Sequence, residues 1–110
     1  MEIPMFTYHD DGSHGWLEVS MELVVFLEID TEISQFSYMS KDCGTAYLEE
    51  DLDLSTFFNK ILEMKIFNTA QDVWNHTINK HHNESAFIRD LPRFEAGKEK
   101  YVDKAQLKMF

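Results

Sequence analysis

In the first half of the chain, hydrophobic and polar positions alternate with the two-residue period of β-strands. Residues 5–8 and 16–19 are short segments of extended pattern on either side of a loop that contains Asp-Gly, which predicts a first hairpin. Residues 33–39 alternate large with small or polar side chains, residues 41–44 have turn composition, and residues 45–48 are again extended in pattern. We therefore predict a second hairpin over this stretch.

The sequence between the two predicted hairpins, residues 20–29, is compatible with either a helix or a strand. Ser20 is a good N-cap, and Glu22 would fall in the first turn of a short helix that runs to Ile29. The β-branched pair Val24 and Val25 makes a buried strand the alternative.

Beyond Asp53 the hydrophobic period changes to that of a helix. The first predicted helix has Ser55 as its N-cap and five apolar residues on one face: Leu54, Phe57, Phe58, Ile61 and Leu62. The second follows a capping box that begins at Thr69, and its face repeats the same spacing: Ala70, Val73, Trp74, Thr77 and Ile78.

The last third of the chain carries weaker patterns. Residues 80–85 are polar and predict a loop. Pro92 stops a helix, so residues 86–94 are predicted to be an extended arm or edge strand. Residues 98–108 could form a frayed amphipathic helix.

These elements predict an α+β fold, in which a small antiparallel sheet from the N-terminal half packs against two or three helices. A length of 110 residues is enough for one hydrophobic core, so we expect a single domain over residues 1–110. Its parts would be an acidic, sheet-rich half (1–54), a helical half (55–80), and an extended arm with a basic tail (81–110).

The charge is unevenly distributed along the chain. The formal net charge is -10, from 20 acidic and 10 basic residues. Residues 1–55 contain thirteen acidic residues and only one basic residue, Lys41, whereas residues 56–110 have a net charge of +2. Proteins that bind nucleic acid directly neutralise phosphates with a basic surface, so this composition argues against that class.

Cysteine content and hydropathy bear on the compartment. Cys43 is the single cysteine and has no partner for an internal disulfide, which fits a reducing compartment. The start of the chain lacks the features of a signal peptide, and residues 23–27, the longest apolar run, fall far short of the about 20 residues that a membrane span needs. We expect a soluble, cytoplasmic protein.

Candidate catalytic and metal-ligating residues are few. His9 and His14, with Asp10 and Asp11 between them, could offer nitrogen and oxygen ligands from one loop, but no HExxH or CxxC spacing supports a metal site. The other histidines, His76, His81 and His82, are expected at the surface. Cys43 has no predicted base beside it, and the sequence contains neither a Gly-x-Ser-x-Gly motif nor a glycine-rich phosphate loop. We expect no catalytic residues, no metal and no cofactor.

The acidic run at residues 49–53 is the most concentrated signal. Alternate side chains at a strand end point the same way, so Glu49, Asp51 and Asp53 are predicted to line one edge. Crowded carboxylates repel one another unless salt or a basic partner screens them. An excess of twelve negative charges matches the phosphates on about 20 Å of duplex axis. The alternative is that this acidity only keeps the protein soluble.

Several sequence strings resemble those of small acidic proteins carried by bacteriophages and plasmids. They are HGWLEV (14–19), ISQFSY (33–38), AYLEED (46–51) and SAFIRDLPRF (85–94). The resemblance implies an accessory protein that acts on host machinery. Such proteins include inhibitors of restriction or CRISPR systems, some of which imitate DNA.

The large rings and arginines of these strings also have a structural interpretation. Trp16, Phe36, Tyr38 and Tyr47 are expected in the core or on a half-buried sheet face. Arg89 and Arg93 are expected to pair with the acidic half and so to dock the arm internally.

We therefore expect a non-catalytic protein that binds a basic surface on a host nucleic-acid-handling defence protein, as an anti-CRISPR or anti-restriction inhibitor, and that contacts no nucleic acid or membrane itself. The expected contact residues are Asp10, Asp11, Glu49, Glu50, Asp51 and Asp53. One alternative is a small metal-dependent enzyme that uses the loop from His9 to His14. Another is a self-associating structural protein, possible as a homodimer, in which the basic tail at residues 98–108 meets the acidic half of a neighbour.

Overall fold

The computed structural model describes residues 3–95, which form an α+β fold around a five-stranded sheet, and this confirms the predicted fold class. The strands are β1 (Phe6–Asp10), β2 (Gly15–Ser20), β3 (Tyr38–Met39), β4 (Thr45–Glu49) and β5 (Thr77–His81). The helices are α1 (Met21–Phe26), α2 (Asp53–Glu63), α3 (Ala70–Asn75) and a 3-10 turn (Phe87–Asp90). The predicted tail helix at residues 98–108 lies outside the described residues.

The sheet is mixed, with strand order β3-β4-β2-β1-β5. The first four strands pair antiparallel, and β1 and β2 form the predicted first hairpin. β5 pairs parallel to β1, after a connection that includes α2 and α3. The segment from Thr77 to His81 therefore differs from its predicted structure, a helix end followed by a loop, because its backbone pairs with β1.

The second hairpin is present, but its first strand is shorter than predicted. Only Tyr38 and Met39 form a strand, whereas residues 33–37 form turns. The amide of Phe36 donates to the Ser34 hydroxyl, and the amide of Ser37 donates to the Ser34 carbonyl. Serine side chains favour such local bonds over a strand ladder, so the alternating pattern here belongs to a turn.

Two of the three predicted helix caps are confirmed. The Ser20 hydroxyl accepts from the amide of Leu23 at the start of α1, and Thr69 accepts from the amide of Asp72 at the start of α3. The helical alternative for the segment after Ser20 is therefore correct. The prediction for Ser55 is wrong, since α2 begins at Asp53 and the Ser55 hydroxyl donates to the carbonyl of Leu52.

The two faces of the sheet support two hydrophobic clusters. The larger cluster packs alternate residues of β1, β2 and β4, such as Phe6, Leu17 and Leu48, against the three helices. The smaller cluster lies on the opposite face and contains Trp16, Tyr38, Tyr47, Ala86 and Ile88. In the C-terminal segment, residues 86–94, the side chains of Ala86, Ile88 and Leu91 thus cover the second face, whereas Phe94 joins the larger cluster.

Two further expectations are corrected by the structure. The C-terminal segment is not extended throughout, because the 3-10 turn comes before a single bridge from Arg93 to Tyr38. Phe36 is 61% exposed, unlike the three other rings expected in the core or on the sheet face. Among the helices of residues 3–95, none has the length and apolar character that crossing a membrane requires.

Candidate functional site

A cavity of about 550 Å³ opens on the second face of the sheet, where the β1–β2 loop, the β4–α2 turn and the C-terminal segment meet. This volume is within the range of small-ligand sites, about 300–1,000 Å³. Nine residues line the cavity: His14, Trp16, Phe36, Tyr38, Glu49, Asp51, Leu52, Arg89 and Arg93. They combine aromatic, acidic and basic side chains.

The cavity has an aromatic wall and an apolar lip. The rings of Trp16 and Tyr38 are nearly perpendicular, with centroids 6.3 Å apart, and both residues are buried. Phe36 and Leu52 line the same cavity but are 61% and 49% exposed. The lip therefore exposes apolar surface to solvent.

Arg89 fastens the C-terminal segment to the β1–β2 loop. Its Nε and Nη2 donate to the two carboxylate oxygens of Asp11 at 2.7 and 3.1 Å, and its guanidinium lies 5.3 Å from the centre of the Trp16 ring. These bonds hold the pKa of Asp11 well below its usual range. The expected internal docking of the arm is confirmed for Arg89.

Within residues 3–95, the guanidinium of Arg93 makes fewer hydrogen bonds than that of Arg89. It lies 4.5 Å from the centre of the Tyr38 ring, and its Nη1 is 3.5 Å from the Gln35 carbonyl. In the described part of the chain Arg93 has no carboxylate partner, so its predicted ion pair with the acidic half is not formed there.

Glu49 and Asp51 form the acidic side of the cavity, and they differ in burial and in hydrogen bonding. Glu49 is buried: its backbone amide donates to the Ser37 hydroxyl, and its carboxylate accepts from the amide of Leu52 at 3.0 Å. Asp51 is exposed, and its carboxylate makes no hydrogen bond or ion pair within residues 3–95. A ring nitrogen of His14 and carboxylate oxygens of both residues lie within 4.8 Å of one another.

Glu50 points to the opposite side of the strand from Glu49. The hydroxyl of Tyr8 donates to its Oε2 at 2.6 Å. Burial and this carboxylate raise the pKa of Tyr8. Gly15 makes the contact possible, since a Cβ at that position would lie 1.9 Å from the Tyr8 oxygen.

Asp10 and Asp53, the remaining predicted contact residues, are also bonded internally. Asp10 accepts from Nδ1 of the exposed His81 at 2.8 Å and from the amide of Gly12. Asp53 is 1% exposed, and its carboxylate accepts from the hydroxyls of Ser34 and Ser37. The prediction that Asp53 shares an edge with Glu49 and Asp51 is therefore wrong, because Asp53 begins α2 and turns inward to hold the serine turn.

The histidines of the β1–β2 hairpin do not share a site. His9 is 3% exposed and lies between Glu18 and His82, with Nε2 2.8 Å from Glu18 Oε1 and Nδ1 3.0 Å from His82 Nε2. His14 instead lies beside Trp16 at the cavity. Thus the two histidines that the alternative metal-dependent site would use face different neighbours.

Sequence reasoning missed the grouping of His14 with Glu49 and Asp51. No spacing motif joins these residues, which are far apart in the chain. The grouping follows from strand register, because Trp16 pairs directly with Glu49 across β2 and β4.

Comparison of the chain with protein-family models, curated proteins and solved structures finds no match.

Proposed function

We propose that this protein is a non-catalytic, acidic accessory protein of a phage or plasmid that binds a basic surface on a host nucleic-acid-handling defence protein. One observation carries the proposal: the cavity lip places exposed apolar surface, Phe36 and Leu52, next to the open carboxylate of Asp51. Protein interfaces bury apolar side chains of this kind at their centre and surround them with a polar rim.

The charge of this region favours a basic protein over a nucleic acid. Glu49, Glu50 and Asp51 follow one another at the end of β4 and the start of the next turn. Their negative potential repels phosphates and attracts lysine and arginine side chains. A partner that normally holds a phosphate backbone carries such side chains in an open groove.

The candidate contact residues differ in burial and in internal bonding, and we rank them on that basis. Asp51 is the leading contact because it is exposed and makes no hydrogen bond or ion pair among the described residues. Glu50 and Asp10 keep part of their surface open, but each also accepts an internal hydrogen bond. Asp53 is excluded by burial. Asp11 has its carboxylate oxygens bonded to Arg89, so its role is to position the loop.

The proposal is tested by capture from host lysate on the immobilised protein, followed by mass spectrometry. We expect the retained protein to be a nucleic-acid-handling enzyme that is eluted by salt and displaced by a duplex of 20 base pairs. The variant Asp51→Lys is expected to weaken retention by about tenfold or more, because close charge pairs at an interface contribute about 1.5–7 kcal/mol each.

The matched control is Glu63→Lys, a charge reversal at the far end of α2, where Glu63 is exposed and 4.0 Å from Lys60. It should retain the partner like the unaltered chain. Equal loss in Asp51→Lys and Glu63→Lys would show a general effect of net charge, and unchanged retention in Asp51→Lys would overturn the proposed surface. A complex that forms only between copies of this chain would replace the proposal with self-association.

A further inference from the structure

Three side chains at the cavity are of types that can ligate a metal ion: one imidazole and two carboxylates. His14 comes from the β1–β2 loop, Glu49 from the end of β4, and Asp51 from the turn that follows. Their ligand atoms lie within 4.8 Å of one another. We propose that these three residues bind a divalent transition-metal ion, for which Zn²⁺ is the best candidate.

The ligand types select the ion. Carboxylates alone suit Mg²⁺ or Ca²⁺, but an imidazole nitrogen together with carboxylate oxygens suits Zn²⁺. Three protein ligands with an open fourth position are typical of zinc sites that also bind water or substrate. A divalent ion would also offset the repulsion between Glu49 and Asp51, which face the same cavity.

The site combines one fixed ligand with two adjustable ones. The amide of Leu52 and the hydroxyl of Ser37 hold Glu49 in place. Bonds of about 2.0–2.2 Å in a tetrahedron put zinc ligand atoms about 3.4 Å apart, so ligand atoms that lie within 4.8 Å of one another need to approach by no more than about 1.4 Å. His14 and Asp51 are exposed, and the ligating atoms of neither are hydrogen-bonded to other residues of 3–95, so rotamer changes suffice.

The cavity has room for a fourth ligand of the metal ion beside the three side chains. Beside His14 lies the ring of Trp16, at a centroid distance of 6.2 Å, and Arg93 stands over Tyr38 in the same cavity. A bound ion would thus face open volume with a cationic group nearby. That combination accepts water or a small anion as the fourth ligand.

The inference does not depend on any partner protein, so the purified chain without an affinity tag is titrated with ZnCl₂ in a calorimeter. We expect one Zn²⁺ per chain. His14→Ala and Asp51→Asn, both at exposed positions that do not support the fold, should each weaken Zn²⁺ binding by about tenfold or more. His81→Ala removes another exposed imidazole and should leave the affinity within about twofold.

A titration with MgCl₂ separates a zinc site from a group of acidic residues. Zn²⁺ should bind at least about tenfold more tightly than Mg²⁺, because the imidazole favours the softer ion. Equal affinities for the two ions would overturn the inference, and so would Zn²⁺ binding that survives both His14→Ala and Asp51→Asn. Because no lysate or partner is used, these outcomes are independent of the capture experiment.

Discussion

Asp11 and Arg89 are 78 positions apart in the chain, and their ion pair joins the β1–β2 loop to the C-terminal segment. Asp11 also accepts from the amides of His14, Ser13 and Ala86. Its side chain is 2% exposed, whereas that of Arg89 is 32% exposed. An ionised carboxylate with this many donors stabilises the folded state, because charge-assisted hydrogen bonds are stronger than neutral ones.

This pair predicts a loss of stability in acid. Arg89 lowers the pKa of Asp11 in the folded state, so the contribution is complete above the unfolded pKa near 4 and is lost as the pH falls below it. Arg89→Met should cost about 2 kcal/mol of unfolding free energy at pH 7 and clearly less at pH 2.5. Urea unfolding at the two pH values measures the difference.

Lys60→Met is the control for that experiment, since Lys60 is 4.0 Å from an exposed Glu63. It should cost less than about 0.5 kcal/mol at either pH. An Arg89→Met cost that stays equal at pH 7 and pH 2.5 would assign the whole effect to packing of Arg89 on Trp16, and not to Asp11.

At the scale of elements, two hydroxyl residues with similar sequence signatures have different roles. Thr69 accepts from the amide of Asp72 and caps α3, whereas Ser55 lies inside α2 and donates to the carbonyl of Leu52. Thr69→Ala should therefore cost about 1 kcal/mol of unfolding free energy. Ser55→Ala should be within about 0.5 kcal/mol of neutral, because alanine favours a helix interior.

Thermal unfolding followed by circular dichroism compares these two variants directly. The midpoint should fall for Thr69→Ala and stay nearly constant for Ser55→Ala. The reverse order would show that Ser55 caps α2, contrary to the bond it makes in the structure.

Sequence periodicity predicted the elements that depend on local order. The β1–β2 hairpin, the α1 cap at Ser20 and the face of α2 follow from neighbours within a few residues. β5 could not be predicted in this way, because its edge position depends on pairing with β1, about 70 residues away. The turn at residues 33–37 depends in the same way on the distant carboxylate of Asp53.

The candidate site was also predictable from the sequence only in its local features. The acidic run was visible in the sequence, and so were the aromatic residues that line the cavity. Which carboxylates remain open was not visible, since Asp53 is bonded to serines 16 and 19 positions away. His14 reaches Glu49 and Asp51 only through the register of β2 with β4. Long-range pairing, and not local pattern, therefore selects the site residues.

At the scale of the molecule, one sheet carries both hydrophobic clusters. Trp16 belongs to the smaller cluster and its neighbour Leu17 to the larger one, so the same strand supports both faces. Opening of the C-terminal segment would expose Trp16, Tyr38 and Tyr47 together. Because β1, β2 and β4 also hold the helices, we expect the two clusters to unfold in one transition.

The variant Trp74→Phe tests this cooperativity, because it leaves Trp16 as the only tryptophan. Trp74 is half-buried between the rings of Tyr8 and Phe58, so the replacement keeps an aromatic ring in its place. In urea, the fluorescence of Trp16 should then change at the same midpoint as the far-ultraviolet circular dichroism of the same variant. A fluorescence midpoint at clearly lower urea would show that the C-terminal segment leaves the sheet before the helices unfold, and that the cavity is lost before the fold.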